Sequence, residues 1–297
     1  MSNEKSSNNM YNTKRGKKLM WIIISILLIL IAAVVIFFDI PYSKTRSEFS
    51  TVINTTISNE PKNTEVFTKE DIKNLPSPVQ KYFEYCGYLG TPKMSYMKAT
   101  FKDVDFNMSA NKTIKIDYTQ YNFVAKPQRF AFIDSSVYGI PFEGFDSYKN
   151  GVGSMKGTIA KAITLFDQRG ESMDKASLVT FLAECLVFPN AALQDYIQWE
   201  EIDATHAKGT ITYYGISASG IFTFDQNGLM LSFRTKDRLA TNMDGSSREA
   251  EWSAIISDYQ TVNGIKQPKV LQSIWHYSEG DSIYFNRNKS SVWFELK

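Results

Sequence analysis

The sharpest feature in the hydrophobic pattern lies near the start of the chain. Residues 19–38 read LMWIIISILLILIAAVVIFF, twenty positions with Ser25 as the only polar interruption. A helix rises about 1.5 Å per residue, so this run reaches about 30 Å, the thickness of a bilayer's hydrocarbon core. Secretory signal peptides carry a shorter apolar region, about 7–15 residues, ahead of a small-x-small cleavage site. No such site occurs at Val34–Phe38, and no Cys follows to accept a lipid. The pattern therefore predicts an uncleaved signal anchor. Lys5, Lys14, Arg15, Lys17 and Lys18 precede the run, against only Lys44 and Arg46 close behind it. The positive-inside rule then predicts a single pass through the cell membrane, with the N-terminus cytoplasmic and the C-terminal part extracytoplasmic.

Either side of the anchor the pattern is polar. Residues 1–18 are rich in Asn, Ser and Lys, which predicts a disordered cytoplasmic tail. Residues 39–65, with Pro41, Pro61 and a polar run from Asn54 to Asn63, read as a stalk. The folded body is expected over 66–297. Thr68 and Asp71 have capping-box spacing for a short helix. Pro78 suits the first turn of a second helix, VQKYFEYC, and Gly87 suits the left-handed position that ends it.

From Lys93 the period changes from helical to about two. YMKATFKDVDFNM and TIKIDYTQYNF have the alternation and the β-branched and aromatic content of strands. After Ser172 a helical pattern runs to about Phe188 and stops at Pro189. Strand patterns then resume to the C-terminus, with Asn227-Gly228, Asn263-Gly264 and Gly280-Asp281 between them at tight-turn positions. Chain-adjacent strands joined by such turns are antiparallel. The predicted fold class is mainly β (α+β): a curved antiparallel sheet or half-barrel of ten or so strands, covered by the inserted helix. Solid core and enclosed cavity both fit this pattern.

On the inserted helix, Leu178, Leu182, Cys185 and Leu186 form an apolar stripe that Val179, Ala183 and Val187 widen. Ser177, Thr180 and Glu184 share the narrow remaining sector. Glu184 is thus a carboxylate on a thin wet face, half of a buried ion pair, or a catalytic acid. For the ion pair, Arg234 and Arg238 in LSFRTKDR are the candidate partners, because a stranded buried charge costs several kcal/mol.

Composition adds limits. Beyond residue 18 the basic and acidic counts fall from 33 and 31 to 28 and 30, once the five N-terminal cations and Glu4 are set aside. Such a near-neutral body lacks the basic stripe that nucleic acid requires. Aromatic residues at 14% favour a strand-rich body. Cys86 and Cys185 lie in apolar helical contexts and read as buried thiols, with a disulfide between them the alternative. HExxH, CxxC pairs and clustered His are absent from the sequence, so no metal or cofactor is predicted. His206 and His276 each read as a surface or satisfied residue before a general base. GISASG (215–220) is not GxSxG and lies between strand patterns, which sets Ser217 and Ser219 aside as nucleophiles. GVGSMKG (151–157) misses the dinucleotide spacing and reads as a hairpin or bulge. Asp146 and Tyr148, just upstream, are candidate ligand-facing residues.

LPSPVQKYF at 75–83, DSYKNGVG at 146–153 and LAECLVFPNAAL at 182–193 together resemble a family of uncharacterised bacterial membrane-anchored proteins, known as a domain of unknown function. Asp237-Arg238, Trp252 and the Gly264-to-Pro268 spacing before Trp275 extend the resemblance, which covers most of 67–297. It implies no catalytic assignment. It does imply interest in Glu184, Pro189, Arg238 and Trp252 as motif positions. The element order also looks like that of LolA-type lipoprotein carriers, half-barrels in which a curved sheet wraps helices around an apolar cavity. The leading functional expectation is a membrane-tethered extracytoplasmic domain binding a lipid or other apolar ligand. A protein-interaction or sensory ectodomain with an envelope partner is the first alternative. A hydrolase using Glu184, Asp258 or His276 is the second.

Overall fold

The computed structural model describes residues 3–61, 64–109, 112–241 and 245–297. The chain divides into two compact units, Met1–Tyr42 and Ser43–Lys297.

The first unit is one helix, α1, Asn3–Asp39. It is long and apolar enough to cross a membrane, and most of its large apolar side chains from Leu19 to Phe37 are exposed. The helix runs back to Asn3, through positions whose composition predicts a disordered tail. Elongating an existing helix avoids the unfavourable nucleation step, so a long apolar rod carries polar residues along with it. Residues 1–2 of that tail lie outside the described residues.

The second unit opens with α2 (Lys44–Asn59), where a stalk was expected. Ser43 caps it by accepting from the Arg46 N–H at 2.9 Å. The polar composition of the segment conceals Phe49, Val52, Ile53 and Ile57, which recur at helical spacing. Phe49 and Ile53 are buried against Phe123, Phe130 and Phe132 on the outer face of the sheet. Arg46 pairs with Asp134 at 2.6 Å, and Thr45 meets Thr158 at 3.1 Å. The body thus begins at Ser43; residues 62–63 of the expected stalk lie outside the described residues.

Two short helices follow, α3 (Lys69–Ile72), whose Thr68–Asp71 capping box is formed, and α4 (Ser77–Tyr85), which carries Pro78 in its first turn and ends before Gly87 at φ +83°. Then come β1 (Tyr96–Ser109), β2 (Lys112–Phe123), β3 (Gln128–Val137), β4 (Ile140–Lys149), β5 (Val152–Ile159) and β6 (Ile163–Gln168). Helix α5 (Glu171–Glu184) separates these from β7 (Ile197–Asp203), β8 (His206–Tyr213), β9 (Ile216–Phe224) and β10 (Met230–Thr235). A small ribbon, β11 (Leu239–Thr241) and β12 (Ser247–Glu249), precedes β13 (Glu251–Val262), β14 (Ile265–Tyr277), β15 (Gly280–Phe285) and β16 (Val292–Leu296).

Fourteen strands form one antiparallel sheet in the order β6-β5-β4-β3-β2-β1-β15-β14-β13-β10-β9-β8-β7, with β16 also paired to β1. Strand β1 serves both neighbours because a bulge after Phe101 re-aims it: Met97–Phe101 pair with β16, and Phe106 pairs with Phe285 of β15. Helix α5 touches β5 and β4 from one wing and β8 and β9 from the other, so the strip curls around it. The wings also meet at their turns, where Gly151 lies against Tyr214. A Cβ at Gly153 would come within 2.4 Å of the Met173 carbonyl, so the strand-to-helix approach there requires glycine. At one end Phe83 of α4 packs edge to face on Tyr82 and on Phe67, which precedes α3, and the Tyr82 hydroxyl donates to the Leu186 carbonyl at 2.7 Å.

Cys86 and Cys185 are free and buried. Burial pushes the Cys86 thiol up to about 12 and Cys185 well above its ordinary value. It raises the Tyr82, Tyr88, Tyr118 and Tyr259 phenols likewise. These groups are neutral when folded, so their stabilising effect is complete below the unfolded values, about 8.5 for a thiol and about 10 for a phenol. It is lost as pH rises towards the folded values. Urea melts of the full chain in detergent should therefore show stability level to about pH 8 and falling between about pH 8.5 and 12. Ellman's reagent should titrate neither thiol before unfolding. A thiol that reacts in the folded chain contradicts this account.

Candidate functional site

Between α5 and the inner face of the sheet lies a cavity of about 420 Å³. That is within the range of ligand pockets, about 300–1,000 Å³. Met173, Ala176, Ser177, Thr180, Ala183 and Glu184 line it from α5, at the spacing of one helical face. The narrow polar sector of α5 is thus turned to the cavity. Its other faces are buried against strands, which is why apolar residues occupy most of the wheel. Much of the remaining wall is apolar, with Phe101, Phe106, Phe142, Met155, Phe166 and Ile256 prominent.

One polar wall centres on Arg129, whose side chain is 6% exposed. Its Nη1 donates to Asp146, its Nη2 to Tyr118 Oη and to Gln120 Oε1 at 3.1 Å, and its Nε to Glu184 Oε2 at 3.4 Å. Gln120 and Asn122 donate to the same Glu184 oxygen at 2.6 and 2.8 Å. Burial opposes the guanidinium charge, but Tyr118, Asp146 and Glu184 more than offset it and hold Arg129 protonated. Glu184 is therefore half of a buried ion pair, and its partner is Arg129 in place of Arg234 or Arg238. Period two explains the arrangement: Tyr118, Gln120 and Asn122 follow Ile114 and Ile116 on one side of β2, so the inner face turns polar where it meets the end of α5.

A second wall holds Arg238, just past the end of β10. Its guanidinium carbon lies 4.7 Å from the Trp252 ring centroid and 5.5 Å from that of Trp275. Its Nη1 donates to Thr180 Oγ1 at 3.0 Å, one turn before Glu184. The buried Nε has no hydrogen-bond partner among the described residues. Trp252 in turn donates to Tyr284 Oη at 3.1 Å.

Of the seven residues singled out from sequence, Asp146, Glu184, Arg238 and Trp252 line the cavity, and Tyr148, Arg234 and His276 do not. Tyr148 is fully buried in the core. Arg234 is on the outer face, since its neighbour Phe233 points inward, and it pairs with Glu251 at 3.1 Å. His276 follows the cavity residue Trp275 on β14 and so points outward. Its ring joins Ser253 Oγ at 2.8 Å and Asp281 Oδ1 at 2.7 Å. This arrangement has the order of a Ser-His-Asp triad, but Ser253 is completely buried within β13, where its hydroxyl cannot meet a substrate. Glu184 and His276 are on opposite faces of the sheet, and Asp258 is an exposed residue at positive φ within β13. The hydrolase that would combine them is thereby corrected: the sheet itself separates these side chains.

Arg129, Gln120 and Asn122 escaped the sequence reading. The signal was present in TIKIDYTQYNF, where polar residues replace apolar ones on the face that Ile114 and Ile116 define. Among the described residues no group of three His, Cys, Asp or Glu side chains is placed to hold a metal.

A LolA superfamily protein from Nitrosomonas europaea is similar to this chain in structure, at 10% identity and a TM-score of 0.39, over 74% of this chain and 93% of that one. No curated protein matches the sequence. The model of the family of unknown function DUF6544 matches residues 65–287, most of the body and all the strands that enclose the cavity, and the chain belongs to that family.

Proposed function

We infer that the body binds a lipid or similarly apolar ligand in its cavity while α1 tethers it to the extracytoplasmic side of the cell membrane. The supporting observation is the cavity itself, about 420 Å³, much of its wall aromatic and aliphatic side chains continuous with the packed core. A cavity of this kind forfeits packing and hydrophobic stabilisation, and an apolar occupant restores both. The charge bias around α1 supports the orientation.

Native mass spectrometry of the full chain, purified from membranes through detergent exchange, tests the reading. One retained lipid per chain is expected. Ala254→Phe, which projects a ring from β13 into the cavity, should lower that occupancy at least about tenfold, a loss of about 1.4 kcal/mol in binding. Recovery of an empty chain, or equal occupancy in the variant, contradicts it.

A further inference from the structure

Among the described residues, three guanidinium groups line the cavity. Arg129 is matched by Asp146 and Glu184, and Arg248 by Glu279 outside the cavity. Arg238 has no carboxylate within ion-pair distance among the described residues. Among those residues its charge meets the faces of Trp252 and Trp275 and the Thr180 hydroxyl. A guanidinium carries five N–H donors. Here one goes to Thr180, and the buried Nε–H is unmatched. Aromatic faces lessen the cost of burying a cation, yet they accept none of its in-plane hydrogen bonds. Such a group is complementary to a planar or tetrahedral anion, whose oxygens take two N–H groups at once.

We propose that the ligand is an amphiphile with one acidic head, a carboxylate or phosphate, which Arg238 binds through its in-plane N–H groups while the apolar chain runs along Phe101, Phe106, Met155 and Phe166. This rests on the reading that the cavity holds an apolar ligand and names the chemistry of that ligand. Asp146 and Glu184 add to its selectivity. Both neutralise Arg129, and Glu279 pairs with Arg248, so Arg238 is left as the one anion-binding guanidinium among the described residues of the wall.

The test uses the full chain in phosphatidylcholine vesicles with two photoreactive probes of equal length, a diazirine-bearing palmitate and the corresponding alcohol. Crosslinks are mapped by peptide, which separates cavity labelling at 97–109 and 152–168 from bilayer labelling at α1. The acid should label the cavity peptides about ten- to hundredfold more than the alcohol. Arg238→Gln should abolish that preference, and Arg238→Lys, which keeps the charge, should retain part of it. Acetate and inorganic phosphate should not displace the acid probe.

Equal labelling by acid and alcohol in the unaltered chain overturns the proposal and leaves the cavity reading standing. Displacement by free phosphate or acetate overturns the amphiphile and favours a small anion. Cavity labelling by neither probe overturns both readings. Because the acid-to-alcohol comparison is made in the unaltered chain, a folding defect in Arg238→Gln leaves the decision intact.

Discussion

Replacing Arg129 with methionine is expected to destabilise the body by about 3–5 kcal/mol, because Asp146 and Glu184 are left as uncompensated charges. The cost comes from what remains more than from what is removed. Gln120 and Asn122 still donate to Glu184, but neutral amides do not balance its charge where the side chain is shielded from water. The triple change Arg129→Met, Asp146→Asn and Glu184→Gln should therefore recover most of the loss, since a complete set of neutral groups carries no stranded charge. Urea midpoints of the full chain in detergent measure both. If Arg129→Met alone costs under about 1 kcal/mol, the network is solvated and the buried-pair account fails.

Trp252→Ala is expected to have an effect of similar size, about 3–5 kcal/mol and a fall in Tm of about 6–20 °C. The ring is 2% exposed, packs edge to face on Phe233 at 6.2 Å, and carries Arg238 on its face. Trp252→Phe separates these roles. It keeps most of the packing, leaves the Tyr284 hydroxyl without its donor, and offers Arg238 a weaker aromatic face. A loss of about 1–2 kcal/mol is expected there. Equal losses for Trp252→Ala and Trp252→Phe would show that packing contributes less than the indole N–H and the aromatic face.

Much of this organisation could be read from residue spacing. The Thr68–Asp71 box, Pro78 at a helix start and the left-handed Gly87 each follow from a local rule that three or four residues satisfy among themselves. Asn263-Gly264 forms its turn with both residues at positive φ, as its composition requires. Tyr138-Gly139 and Tyr214-Gly215 adopt the same conformation with no such signal at the first position. There the tertiary ladder overrides local preference. Helix α2 was hidden for a similar reason: Phe49 and Ile53 are too sparse to mark an amphipathic helix until the outer face of the sheet supplies Phe123, Phe130 and Phe132.

Glu184 shows the division most clearly. Its place on a thin polar sector of α5 is a consequence of helical period and needs no tertiary information. What that sector faces is decided only when the strip of strands curls round and turns it to the cavity. Arg129 lies 55 residues before Glu184, and the bond between them depends on the pairing of β2 with β3 and on where α5 crosses them. The sequence by itself determined the apolar rod, the antiparallel hairpins and the helix among them, because each depends on neighbours a few residues away. The tertiary structure alone decided the partner of Glu184, the unmatched charge of Arg238 and the cavity between them, because these depend on register and curvature summed over the whole sheet.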